Sequence, residues 1–172
     1  MKRRDLFKMT GALAAVVPGA AAVTAAPEIP WKPQVLNAHQ NETIIVISDL
    51  IIPETDTPGA KAANVNRYID LFLSVTPADQ TENLIGGLGW LDRYTNQQHG
   101  HAFTSCSKDQ QIAILEALAA NQQPGLETGH AFFDTIKGIT TRFYYNTAIG
   151  FRELNKGGRM PSTFGCAHGG HA

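Results

Sequence analysis

Six histidines and two cysteines are the residues of this chain best suited to holding a metal. His99-Gly-His101 stands shortly before Cys106, and the C-terminus reads Cys166-Ala-His168-Gly-Gly-His171. Gathered by folding, His99, His101, Cys106, Cys166 and His168 would offer imidazole nitrogens and thiolates to zinc or copper. Two readings compete. His99 and His101 fall at a helix end, where the helix dipole favours a cation. A disulfide between Cys106 and Cys166 would consume both thiols. Carboxylates supply a second set. Asp49 and Asp56 stand on either side of Pro53, and either would serve as a general base in a cleft that shifts its pKa. The competing reading is local: Asp56 and Thr57 hold a loop through bonds to backbone N–H groups, and Asp49 pairs nearby or caps a helix. Other chemistry is missing. Gly86-Gly87-Leu88-Gly89 has the wrong spacing and a helical context for a dinucleotide loop. There is no Cys-x-x-Cys-His, no nucleophile elbow and no His-Glu-x-x-His. By these tests the chain binds no redox cofactor of its own.

The elements that must position these residues read as helices. From Ala38 the chain is regular; Ile44, Ile47 and Ile51 recur at helical spacing and Pro53 ends the run. Pro53 to Ala60 is a loop. A short helix carries Val65, Ile69 and Phe72 on one face. Another starts near Pro77 and Asp79 and runs toward Gln98, with Leu84, Leu88 and Leu91 inward; Gly86, Gly87 and Gly89 predict close packing against a neighbouring backbone. Ser107-Lys-Asp-Gln110 is a capping box opening a helix with Ile112, Leu115 and Leu118 inward. Thr128 is placed to cap the last long helix, whose stripe is Phe132, Ile136, Ile139 and Phe143. Its further aromatics, Phe133, Tyr144 and Tyr145, belong mainly to the core, with an excess that suits an interface. The expected fold is all-α: a compact bundle of about five helices, residues 38–154, with a long irregular Gly- and His-rich tail, residues 155–172.

The start of the chain is an address rather than a fold. Arg3-Arg4 precede Leu6, Phe7 and Lys8 and then an uncharged, Ala-rich run to Ala26, similar to a twin-arginine export signal. Pro18-Gly19 interrupts the run, and Thr24-Ala25-Ala26 fits a cleavage site. Residues 1–26 are therefore read as a signal peptide, and residues 27–37, with Pro27, Pro30 and Pro33, as an extended spacer. The export route places the mature protein in the periplasm and passes it, already folded, through the twin-arginine translocon. The leader takes four of the 14 basic residues (Lys2, Arg3, Arg4, Lys8) and one of the 15 acidic ones (Asp5), which leaves 10 against 14, a formal charge of −4. Nothing basic remains to hold nucleic acid. In an exported protein the even cysteine count points to a Cys106–Cys166 bridge, worth about 4 kcal/mol in the chain-entropy model. Two free thiols, or bridges to another subunit, are the alternatives.

Three segments are familiar. They are Ile47 to Pro53 leading into Thr55-Asp56-Thr57-Pro58-Gly59-Ala60; Phe132 to Thr140 leading to Tyr144-Tyr145-Asn146; and Gly150-Phe151-Arg-Glu153-Leu154 continuing to Gly165-Cys166-Ala-His168. With the twin-arginine start they resemble the gluconate 2-dehydrogenase subunit 3 family, the small subunits of periplasmic sugar and polyol dehydrogenases. The resemblance implies a non-catalytic role. A large partner subunit carries FAD and oxidises the sugar; a multihaem cytochrome c subunit, where present, takes the electrons onward. The small subunit stabilises the flavin subunit and escorts it through the translocon. No catalytic, cofactor or metal residue carries over to this chain. The expected partner contacts are Asp56, Thr57, Pro58 and Gly59 in the loop, Phe133, Tyr144 and Tyr145 on the last helix, and Phe151, Cys166 and His168 beyond it.

Overall fold

In the computed structural model, residues 31–154 are described; the leader, the cleavage site, the first part of the spacer and the tail 155–172 lie outside the described residues. Six helices follow one another: α1 (Ala38–Ile51), α2 (Val65–Val75), α3 (Ala78–His99), α4 (Lys108–Ala120), α5 (Glu127–Asn146) and α6 (Ala148–Leu154), with a 3-10 turn at Phe103–Ser105. Among the described residues there is no strand, and no helix is long and apolar enough to cross a membrane. The all-α expectation holds.

Local chemistry sets most boundaries. The Ser107–Gln110 capping box forms as the sequence predicts, and a second opens α1, where Asn37 and Gln40 exchange side-chain and backbone bonds. Gly100, at φ 80°, closes α3 in the left-handed conformation. Thr128 does not cap α5. The helix starts at Glu127, behind Leu126, two positions before the expected cap and with no side-chain cap of its own. Glu127 instead folds back, its carboxylate accepting from the Gly125 N–H at 3.1 Å. The count rises from five to six because of Thr147. Its hydroxyl donates to the Tyr144 carbonyl at 2.7 Å and accepts from the Gly150 N–H at 3.1 Å, so it stops α5 and opens α6.

α5 is the central element and packs against each of the other five helices. Its enclosed line is Phe132, Ile136, Thr140 and Tyr144, rotated from the expected stripe, whose later members Ile139 and Phe143 are only half-buried. Thr140 sits in the core because its hydroxyl meets that of Ser48 on α1 at 3.3 Å, pairing two buried polar groups. Leu84, Leu88 and Leu91 point inward as expected. Ile112 does not; Ile114, Leu115 and Leu118 make the inner face of α4 and leave Ile112 exposed. Of the three glycines in α3, only Gly87 is a close-packing site. Its neighbour is a side chain, not a backbone: an added Cβ would lie 2.2 Å from the Phe132 ring. Around Gly86 the space is open.

Candidate functional site

The loop between α1 and α2 is built around one phenol. Tyr144 is fully buried on α5. Its O–H is shared between the Pro58 carbonyl at 2.7 Å and a Glu153 carboxylate oxygen at 2.6 Å, and the Thr57 hydroxyl bonds the same phenol. Burial first, and then the Glu153 carboxylate, push Tyr144 from its ordinary 10 up to about 12. Gly59 passes so close to the start of the loop that a Cβ would lie 2.6 Å from the Glu54 nitrogen and the Ile52 oxygen. Ala60 is enclosed, and its N–H donates to the Ile52 carbonyl at 2.9 Å. The Thr57-Pro58-Gly59-Ala60 run thus has a local cause at each residue: a donor, an acceptor, a close approach and a buried methyl.

The expected contact residues therefore separate. Thr57, Pro58, Gly59, Tyr144 and Phe151 gather at the α5–α6 end of the bundle, but Gly59 and Tyr144 are enclosed. Asp56 is exposed and accepts from the Thr55 hydroxyl at 3.0 Å. Tyr145 is half-buried, edge-on to Tyr144 with centroids 5.1 Å apart. Phe133 is buried on α5, with the Lys137 ammonium 5.9 Å from its ring centre. Phe151 is exposed. Cys166 and His168 lie outside the described residues, and with them any Cys106–Cys166 bridge.

The nitrogen and sulfur candidates do not converge within the described residues, where no group of three His, Cys, Asp or Glu is placed to hold a metal. A His99 ring nitrogen faces the Gln110 amide at 3.3 Å, and His101 is exposed. Cys106 is buried, its thiol donating to the Ala102 carbonyl at 3.6 Å. Burial, and then the nearby Asp92 charge, push that thiol up. Asp49 is half-buried on α1, and neither it nor Asp56 lines the groove that lies between α3 and α5.

Sequence reasoning missed three features. Asp70, on α2, is 1 % exposed and accepts from three successive backbone N–H groups, Gln34 at 2.7 Å and Val35 and Leu36 at 3.0 Å each. The end of the expected spacer is thereby tied to the bundle. A carboxylate beside Ile69 on an otherwise apolar face was the available signal. The second feature is a groove of about 890 Å³ between α3 and α5, floored by Leu84, Gly86 and Gly87, walled by Trp90 and Phe132, and edged by Glu82, Arg93 and Glu127 among others. The third is the outer face of α2. Tyr68, Leu71 and Val75, at i, i+3 and i+7, are 44 %, 55 % and 78 % exposed. Behind them Phe143 of α5 stacks on Tyr68 at 6.4 Å and meets Phe72 at 5.5 Å.

Compared with known proteins, the chain matches the family model described as Gluconate 2-dehydrogenase subunit 3 over residues 38–158, which spans all six helices. No curated protein and no solved structure matches it.

Proposed function

The chain belongs to the gluconate 2-dehydrogenase subunit 3 family, and from that premise we propose that it is the non-catalytic small subunit of a periplasmic, FAD-dependent sugar or polyol dehydrogenase. It folds against the flavin-bearing large subunit in the cytoplasm, stabilises it, and lends it the twin-arginine leader for export. Where the complex includes a multihaem cytochrome c, electrons pass from flavin to haem outside this chain. The family match along the whole helical domain carries this reading. Two further observations agree with it. Arg3-Arg4 open a leader of the kind that exports folded cargo. The buried polar side chains Asp70, Tyr144, Ser48 and Thr140 all have partners within the chain.

The test is to express the flavin subunit with and without this chain and to follow soluble flavoprotein and exported sugar-oxidising activity. The reading expects both to fall at least tenfold without the chain, and to return when it is supplied with its leader. Full holoenzyme folding, export and turnover in its absence would contradict it.

A further inference from the structure

The N-terminal arm is held more firmly than a helix start requires. Four successive backbone N–H groups, from Gln34 to Asn37, all donate to side chains. Three reach the enclosed Asp70 carboxylate, and the fourth reaches the Gln40 amide oxygen at 2.9 Å. The chain bends at residues 34–36 and so brings three donors round one anion. Leu36 is buried beside them, and Val35 packs against the core. Asp70 stands on the inner face of α2 next to Ile69. One turn earlier Asn66 donates to the Asn41 side chain of α1 at 2.9 Å. Hydrogen bonds to a carboxylate are roughly twice as strong as neutral ones. The Asn37–Gln40 box already satisfies the opening of α1, and the clasp lies just outside it in chain order.

We infer that Asp70 and residues 34–36 form a tension anchor, a strap that passes pull on the N-terminal arm to α2 and spares α1. The inference rests on the export reading proposed above, because a leader draws its cargo by this arm. The order of the residues carries the argument. Tension arriving from before Gln34 meets the Asp70 clasp first and the first turn of α1 only afterwards. Without the clasp the same tension falls on the Asn37 cap, where helices fray most readily. Peeling there would be costly to the whole bundle, since α1 supplies Ile44, Ile47 and Ser48 to the core. α2 is the better recipient. It lies against both α1 and α5, and the strap joins it within its length rather than at an end.

The experiment stretches the full chain in an optical trap, with handles at its two ends, and reads the force and released length at first opening. Asp70→Asn keeps the shape of the side chain but turns an amide nitrogen toward a backbone N–H. It is expected to lower the force of first opening at least twofold and to split off an early step of the length of the α1 segment. Leu36→Ala leaves the carboxylate bonds in place and is expected to lower the force less; it carries the comparison if Asp70→Asn does not fold. In the control, the first handle is moved to position 54, in the exposed loop after α1. The arm is then out of the line of force, and Asp70→Asn is expected to change the opening force by less than a fifth. An equal fall in both geometries would show that Asp70 only stabilises the fold, and it overturns the inference. An unchanged force in the end-to-end pull overturns it too, and either result leaves the proposed function standing. The leader is tested separately in cells. Arg3→Lys with Arg4→Lys is expected to keep the chain in the cytoplasm, and unchanged export overturns the export reading whatever the trap shows.

Discussion

On α2, Val65, Ile69, Asp70 and Leu73 point into the bundle, while Tyr68, Leu71 and Val75 point out of it. The inner residues have enclosing neighbours and, at Asp70, three backbone donors. The outer residues are just as apolar in type but have water over much of their surface. The same contrast separates the two most aromatic regions. Around Tyr144 each group of the Thr57–Ala60 run answers another group of the same chain. Around Tyr68 and Phe143 the rings touch each other and then stop. The difference teaches that the segment with the most specific sequence is architecture, whereas the exposed apolar face of α2 has an unremarkable sequence.

Substitutions that sharpen the contrast begin on the inner side. Asp70→Ala leaves three N–H groups without their acceptor, and chemical denaturation is expected to show a loss of about 3 kcal/mol. Gly87→Ala drives a methyl into the Phe132 ring and is expected to lower stability by about 1–3 kcal/mol. Tyr144→Phe removes the bond to Glu153 and Pro58, for about 1–2 kcal/mol at neutral pH. It also changes the alkaline limb. Because the folded phenol titrates above its unfolded value of about 10, its contribution is fully present below pH 10 and is lost as pH rises through about 12. Wild type should therefore lose stability across that window, and the Phe variant should lose less. On the open side the sign reverses. Gly86→Ala meets nothing and is expected to add about 0.5–1 kcal/mol by removing a flexible residue from a helix. Val75→Glu is expected to shift stability by no more than about 0.5 kcal/mol; a larger loss would mean that the outer face is part of the core.

Much of the fold was legible because helix chemistry is local. Leu84, Leu88 and Leu91 repeat at the spacing of one face, and Ser107 and Gln110 satisfy each other across one turn. What escaped depends on neighbours distant in sequence. Thr147 looks like any threonine until its hydroxyl bonds the Tyr144 carbonyl. Ile112 and Ile114 are both isoleucines in α4, and only the position of the packed helices decides which one is enclosed. The stripe on α5 was read one notch away because Thr140 was not expected in a core, where Ser48 accommodates it. The site was less legible than the fold. Tyr144 and Thr57 to Gly59 stand among ten expected partner contacts, and the chain brings these four together as a clasp that encloses Gly59 and the Tyr144 phenol. Tyr68, Leu71 and Val75 read as ordinary helix residues, since an apolar side chain carries no sign of whether its neighbour lies in the same chain.

The central claim is that this small helical chain works by binding a flavin-bearing partner. The most direct measurement is sedimentation velocity of the purified mature chain mixed with the purified flavin subunit, followed at the flavin absorbance. The account predicts that the flavin boundary shifts to a single faster species saturating at one chain per flavin subunit. A flavin boundary unmoved by excess chain would contradict it.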